Sequence, residues 1–423
     1  MTADTRVSPI ALAMPVACAA GVQSLLVISL PAILTLTGLS VGTLSPVLGV
    51  AALGYLVGGY FWPRRVSAGG RRQLLQRLLA AAFLSKALFV GTLLAASAGW
   101  LSGVAVVVAV FTTRLGYALT VSGVFPTIQA WLAGDYEAAD RHGAFTRLSA
   151  AVNGVRLFIP LLAAALVLRW PEAALALLMA LPLTALLVLP RERMAAPAPS
   201  ASHHPLRRLP EPGVALPAIL TNMSLGMAEF VIAPFLASAW GIGIDSTPVY
   251  TALLLTSSAT CMVVTQLITL RHQPDPRALL VWGPMAMAVG GGISAIFPPA
   301  LPLGLVLVAA ALALVAPATS TAAVAGRDNT DHARAGSDLY TARILGHLLG
   351  VTMAGPLFEL APRLPLAAAA LVALAAIPAS AGLRRALAHD DSPGKPQGGD
   401  RAGVRTDCDA AARGSTAPPP EKS

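Results

Sequence analysis

Apolar runs recur along this chain with a spacing that sets its architecture. Stretches of about 20 nearly uncharged residues alternate with short polar turns. At about 1.5 Å per residue, a helix of that length crosses the hydrocarbon layer of a bilayer. Twelve such spans are read from the pattern. The first six cover residues 9–36, 41–62, 78–98, 101–132, 148–168 and 173–189. The second six cover 214–240, 249–270, 279–297, 301–325, 339–358 and 364–383. The first run far exceeds the roughly 7–15 apolar residues of a cleaved signal peptide, so it is predicted to be a spanning helix.

The pattern is interrupted once in the middle. Residues 191–213 are rich in Pro, Ala and Ser and carry Arg191, Arg193, Arg207 and Arg208. This predicts a six-helix unit over residues 1–190, a linker over 191–213 and a second six-helix unit over 214–385. The remainder, 386–423, is polar and rich in Gly and Pro, a composition that predicts a disordered tail.

Composition agrees with the pattern. The chain is 56% hydrophobic and only 12% charged, with a mean hydropathy of +0.70. That is about half the charge of a soluble domain. The predicted fold class is an all-α membrane protein with 12 transmembrane helices. The net charge of +9 does not point to nucleic acid, because the basic residues lie in short loops. Sixteen of them fall in the N-terminal segment, alternate loops and linker; only Arg169 and Arg363 fall in the other loops. Basic loops stay on the cytoplasmic side, so both termini are expected there. Only three lysines occur, Lys86, Lys395 and Lys422, among abundant Arg, Ala, Gly and Pro. This suggests a GC-rich bacterial genome and hence a bacterial inner (plasma) membrane. Cys18, Cys261 and Cys408 are scattered, and the His203–His204 pair stands alone, so no metal site is expected.

Charge inside a span is costly, about 2.5–3.5 kcal/mol at a helix centre on insertion scales. Four basic residues bear that cost, Lys86, Arg114, Arg156 and Arg343, against one deeply placed acid, Glu229. At about 1.5 Å per residue, Arg114 lies about 20 Å from the outer end of its span and Glu229 about 22 Å from the inner end of its own. Neither snorkels easily from there.

Local motifs then suggest a family. Arg114 is followed by small residues at Gly116, Ala118, Ser122 and Gly123, and by Pro126. This resembles the fourth helix of the major facilitator superfamily, with Ala118 at a position where that family usually has glycine. After the second span, Gly59-Tyr60-Phe61-Trp62-Pro63-Arg64 and Gly70-Arg71-Arg72 resemble a family loop motif, with Pro63 in place of its aspartate and extra residues between. Its arginines are expected to anchor the loop at the lipid surface. The fifth span keeps Pro160 of a glycine-rich antiporter motif but has Ile159 in place of the glycine; Gly346, Gly350 and Gly355-Pro356 occur in the second half. The halves also share an order of elements. Pro126, Ala133-Gly134-Asp135, Arg141-His142-Gly143 and Thr146-Arg147 correspond to Pro317, Ala325-Gly326-Arg327, Arg334-Ala335-Gly336 and Thr341-Ala342-Arg343. The family is built by such a parallel duplication.

The resemblance implies two pseudo-symmetric bundles around a central cavity lined by helices four and seven. Arg114 and Glu229 then either contact substrate and couple protons or form a fixed ion pair. Arg156 either binds substrate or caps carbonyls near Pro160. Lys86, on a helix usually peripheral in the family, either has a structural partner or a role in the cavity, and Arg343 is expected at the membrane interface. Gln23, Tyr117, Gln129 and Asn222 are weaker candidates. Ionisable residues in spans usually mark a pathway. The helix-four and partial proline motifs resemble most closely those of the family's drug and metabolite exporters, so the resemblance implies proton-coupled export of a small organic or amphipathic solute by alternating access, with proton-coupled uptake of an organic anion as the alternative. The excess of cations favours a solute bearing a carboxylate. No P-loop or His-Glu-x-x-His motif occurs, and the one Gly-x-Ser-x-Gly string, Gly38-Leu39-Ser40-Val41-Gly42, falls in the turn between two apolar spans and not between a strand and a helix, so neither ATP drive within the chain nor an enzyme or cofactor is expected. A sensor or scaffold would usually carry a folded soluble domain, and the roughly 40-residue tail is short for one. The expected partners are the solute, protons and lipid; the chain is expected to be monomeric.

Overall fold

The computed structural model describes residues 8–62, 70–136, 147–148, 154, 157–170, 173–190, 212–324 and 329–390. Every regular element among them is a helix. This follows from the solvent. Lipid offers backbone N–H and C=O groups no partner, so each span must satisfy them internally. Threonine and serine hydroxyls do the same, donating to carbonyls one turn back, as in Thr92 to Leu88 (2.8 Å) and Thr113 to Ala109 (2.7 Å).

In the first half, α1 is Pro9–Ile28 continued by Leu30–Thr37, and α2 is Val41–Ala51 continued by Leu53–Phe61. Helix α3 is Arg71–Ser97, and α4 is Val104–Val121 continued by Val124–Asp135. Helix α5 is Leu157–Val167 and α6 is Ala173–Leu187. In the second half, α7 is Pro212–Ala239, α8 Thr247–His272 and α9 Pro276–Ile296. Then come α10 (Leu301–Val324), α11 (Asn329–Leu360) and α12 (Leu364–Ala379), with a short terminal α13 (Ala381–Asp390). Among the described residues, nine helices are long and apolar enough to cross a membrane; α5 and α6 are shorter apolar helices. The more polar α11 completes the set. The chain is thus a multi-pass membrane protein, and its helices among the described residues follow the order of the twelve expected spans.

Helix breaks sit where proline predicts them. Pro31 has no N–H to give the Val27 carbonyl, and α1 is interrupted at Ser29. Pro126 cannot bond to Ser122, and α4 is interrupted at Ser122 and Gly123.

Helix α3 packs against α4 and α6, α1 against α6, and α2 against α4. In the other half α7 packs along α11, α9 along α10, and α12 against both α7 and α9. The α7–α11 contact is backbone on backbone. A Cβ at Gly346 would strike the Ile219 carbonyl, one at Gly350 the Met223 carbonyl, and one at Gly226 the His347 carbonyl. Small residues permit such approach, and packing supplies the attraction that water cannot supply in lipid.

The halves approach most closely where α2 meets α11. Ser45 Oγ donates to the Val351 carbonyl and accepts from the Gly355 N–H (2.9 Å). A Cβ on Gly49 would strike Thr352, and one on Gly355 would strike the Val41 carbonyl. Beyond this contact, Glu359 accepts a hydrogen bond from the Gly42 N–H (2.9 Å), so its carboxylate sits at the positive start of α2. The Ser40 hydroxyl and the Gly42 N–H hold this exposed carboxyl below its ordinary range.

Two sequence expectations change here. Helix α3 begins at Arg71, seven residues before the expected span, because Arg71 is buried rather than lipid-anchoring. It pairs with Asp135 (3.8 Å; side chains 7% and 10% exposed). Arg72 Nε donates to the Pro190 carbonyl (3.1 Å). Residues 63–69 of the loop motif, Arg141-His142-Gly143, the 191–211 part of the linker with its histidine pair, and the tail after residue 390 lie outside the described residues.

Candidate functional site

A cavity of about 800 Å³ lies between the two halves. Its wall includes Gln23 of α1, Tyr55 of α2 and Arg114 and Gln129 of α4, facing Asn222 and Glu229 of α7 and Arg343 and His347 of α11. The cavity runs past Leu48, Gly49 and Val351, so the α2–α11 contact closes one end of it.

Arg114 is placed by the long first segment of α4, and it is only 3% exposed. Its Nη2 donates to Gln23 Oε1 (2.8 Å), while Nε and Nη1 are buried without a hydrogen-bond partner. The guanidinium carbon lies 5.9 Å from the Tyr55 ring centre and 5.7 Å from that of Tyr117. Tyr117 does not line the cavity; it stands behind Arg114, 1% exposed, with its hydroxyl unpartnered. Behind it Lys86 is fully buried, Nζ 4.1 Å from the Tyr117 ring centre and 5.1 Å from that of Phe89. Lys86 Nζ has no hydrogen-bond acceptor. Lys86 thus meets aromatic rings and is not among the residues that line the cavity.

Glu229 is half-buried and lines the opposite wall. Among the described residues no ion pair within 4.0 Å joins it to Arg114 or to any other cation. Asn222 lies two turns before it on α7 and gives its amide N–H to the Ala218 carbonyl of its own helix (2.9 Å).

Arg343 requires a correction. It was expected at the interface because the span was read as starting at Leu339. Helix α11 starts at Asn329, so Arg343 lies well inside it and reaches the cavity. Its Nη2 lies 2.6 Å from the Ala316 carbonyl and 3.0 Å from the hydroxyls of both Thr319 and Ser320. These flank Pro317, where α10 lacks a backbone donor. Arg343 is therefore tied to α10 as well as facing the cavity. Arg156 lies outside the described residues.

Sequence reading missed His347 and Tyr55. His347 follows Arg343 by four residues and so shares its helix face, a signal present in the sequence. Nothing local marked Tyr55.

No protein-family model matches the chain, and no characterised protein matches it by sequence. Solved structures do match by shape. A bacterial homologue of the human lysosomal transporter Spinster, inward-facing and occupied, is 16% identical with a TM-score of 0.63, over 90% of this chain and 92% of that one. The xylose transporter XylE from E. coli, inward open, is 13% identical with a TM-score of 0.66, over 88% and 94%. The human organic anion transporter MFSD10 is 14% identical with a TM-score of 0.60, over 90% and 100%. At such identities the likeness establishes architecture. The chain has the fold of the major facilitator superfamily, twelve helices in two pseudo-symmetric six-helix bundles around one cavity.

Proposed function

We propose that this protein is a secondary transporter that exports a small organic solute across the bacterial inner membrane by alternating access, driven by protons. The halves are residues 1–190 and 214–385, both termini face the cytoplasm, and the α2–α11 contact is the outer gate. The observation that carries this reading is the pair of unmatched charges on opposite walls of one cavity. A fixed structural ion pair would sit paired. Arg114 and Glu229 line the same space and do not pair within 4.0 Å. On this reading Glu229 is the group that carries the proton. Arg114 supplies constant charge, because a guanidinium does not deprotonate.

Proteoliposomes with an entrapped pH indicator test the coupling. Straight-chain carboxylates, alcohols and amines of equal length are added across an imposed pH gradient. At least one class should move protons through the protein and not through empty vesicles. No proton movement with any class would sink the reading. The alternative, uptake of an organic anion with protons, uses the same residues; it is distinguished by the direction of net accumulation under an inward proton gradient.

A further inference from the structure

We infer that the first-half wall of the cavity is an anion site, built around Arg114 to take the carboxylate head of the solute. The inference rests on reading the cavity as a solute site and adds the chemical class of the solute.

The argument is one of unsatisfied charge. Lys86, Tyr117 and Arg114 form a continuous buried stack, linked by ring contacts of 4.1 and 5.7 Å. Two of its members are basic, and among the described residues neither has a carboxylate within 4.0 Å. The polar atoms Lys86 Nζ, Arg114 Nε, Arg114 Nη1 and Tyr117 Oη all lack hydrogen-bond partners. Buried donors without acceptors are costly, and native interiors rarely keep several together. Of the five N–H groups on a guanidinium, the Gln23 contact uses one. Gln23 also fixes the orientation of the planar group, and Nε, Nη1 and the second N–H of Nη2 remain for an acceptor. Arg114 alone of the stack borders the cavity, so it presents the stack's charge to a ligand.

The remaining wall suits such a ligand. Leu26, Val27, Leu30, Val121, Phe125 and Phe230 give the cavity apolar surface away from Arg114. An amphipathic organic acid would place its tail there. A neutral or cationic molecule of the same shape would leave the donors unmet, and sites that lose a buried polar match discriminate strongly.

Equilibrium binding to purified protein in detergent tests this without requiring flux. Straight-chain carboxylates from butanoate to dodecanoate are titrated against the alcohol and the amine of each length, following tryptophan fluorescence. The expected result is at least one length at which the carboxylate binds tenfold or more tightly than both. In Arg114→Gln that preference should fall below threefold. Arg114→Lys should retain part of the preference, because it keeps charge without the fork. If the wild-type protein prefers alcohols or amines at every length, or binds no carboxylate, the inference is overturned; this comparison needs no variant to fold. A carboxylate preference that survives in folded Arg114→Gln overturns it too. Carboxylate binding without proton-linked flux would defeat the transport reading and leave the site intact. Flux of alcohols or amines without carboxylate preference would do the reverse.

Discussion

The two walls of the cavity solve opposite problems. The first-half wall presents Arg114, a charge that cannot be switched, backed by the side chains of α3: Lys86 behind Tyr117, and Ser85 beside Gly116. The second-half wall presents Glu229 on a helix clamped to α11 by backbone contacts at Gly226, Gly346 and Gly350. Under the proposal the fixed cation takes the solute and the acid takes the proton, so one cavity holds two functions apart without a second pocket.

The strongest way to break this comparison is Glu229→Gln. Under the proposal, accumulation driven by a pH gradient falls at least tenfold, while solute binding and gradient-independent exchange persist. Full accumulation by a folded variant would remove Glu229 from the coupling and make the walls equivalent in role.

A second test concerns the backing of each wall. At Gly350 an added Cβ meets backbone, the Met223 carbonyl, which cannot rotate away; at Gly116 it lies 3.1 Å from the Ser85 hydroxyl, which can. Gly350→Ala should therefore destabilise the protein by about 1–3 kcal/mol, the usual range for overpacking. For Gly116→Ala the gain in helix propensity, up to about 1 kcal/mol, offsets the crowding. Thermal unfolding in detergent measures both. Equal losses would mean that the walls are backed alike.

Arg343→Gln sharpens the comparison from the other side. Arg343 lines the second-half wall but is occupied by α10 at the Ala316 carbonyl, Thr319 and Ser320. Its loss should lower stability by about 1–3 kcal/mol, the usual worth of hydrogen bonds from a charged group. Carboxylate preference should change less than threefold. If preference is lost as in Arg114→Gln, the anion spans both walls.

The smallest expected effect lies at the contact that closes the cavity. The Glu359 carboxyl is held below its ordinary range by Ser40 and Gly42 in the closed arrangement. Its contribution is therefore present above the ordinary carboxylate pKa, near 4.3, and is lost as pH falls through the depressed value. Spin labels at the exposed turn positions Ser102 and Arg363 report the opening. A longer-distance population should grow below about pH 4. In Glu359→Gln it should be pH-independent between pH 7 and 4 and larger than wild type at pH 7. An unchanged distribution would leave Glu359 without a part in closure.

Much of the fold was legible because lipid imposes a simple rule. Spans of fixed length must be apolar and helical, so the twelve-helix pattern and the central interruption stand out in the sequence. Arg114 and Glu229 were legible for the related reason that charge within a span is rare. What sequence could not show is which charges face one another. Arg343 was misplaced because the polar start of α11 hid ten residues of helix. Arg71 was misplaced because its partner, Asp135, is 64 residues away at the end of another helix. The Lys86–Tyr117–Arg114 stack depends on α3 meeting α4 at one rotation, which no local pattern encodes. The contact at Ser45 was unmarked, since serine in an apolar helix usually bonds its own backbone.

The glycine contacts between α7 and α11 carry a mechanical consequence. Helices that touch carbonyl to Cα have no side chain between them to absorb displacement, so they translate together. Helix α11 also bears Thr352, Gly355 and Glu359, which meet α2 where the halves close. The same helix thus joins the wall that carries Glu229 to the contact that closes the cavity. Under the proposed mechanism, a shift of α7 at the acid would reach that contact through α11 itself, without any chain of intermediate side chains.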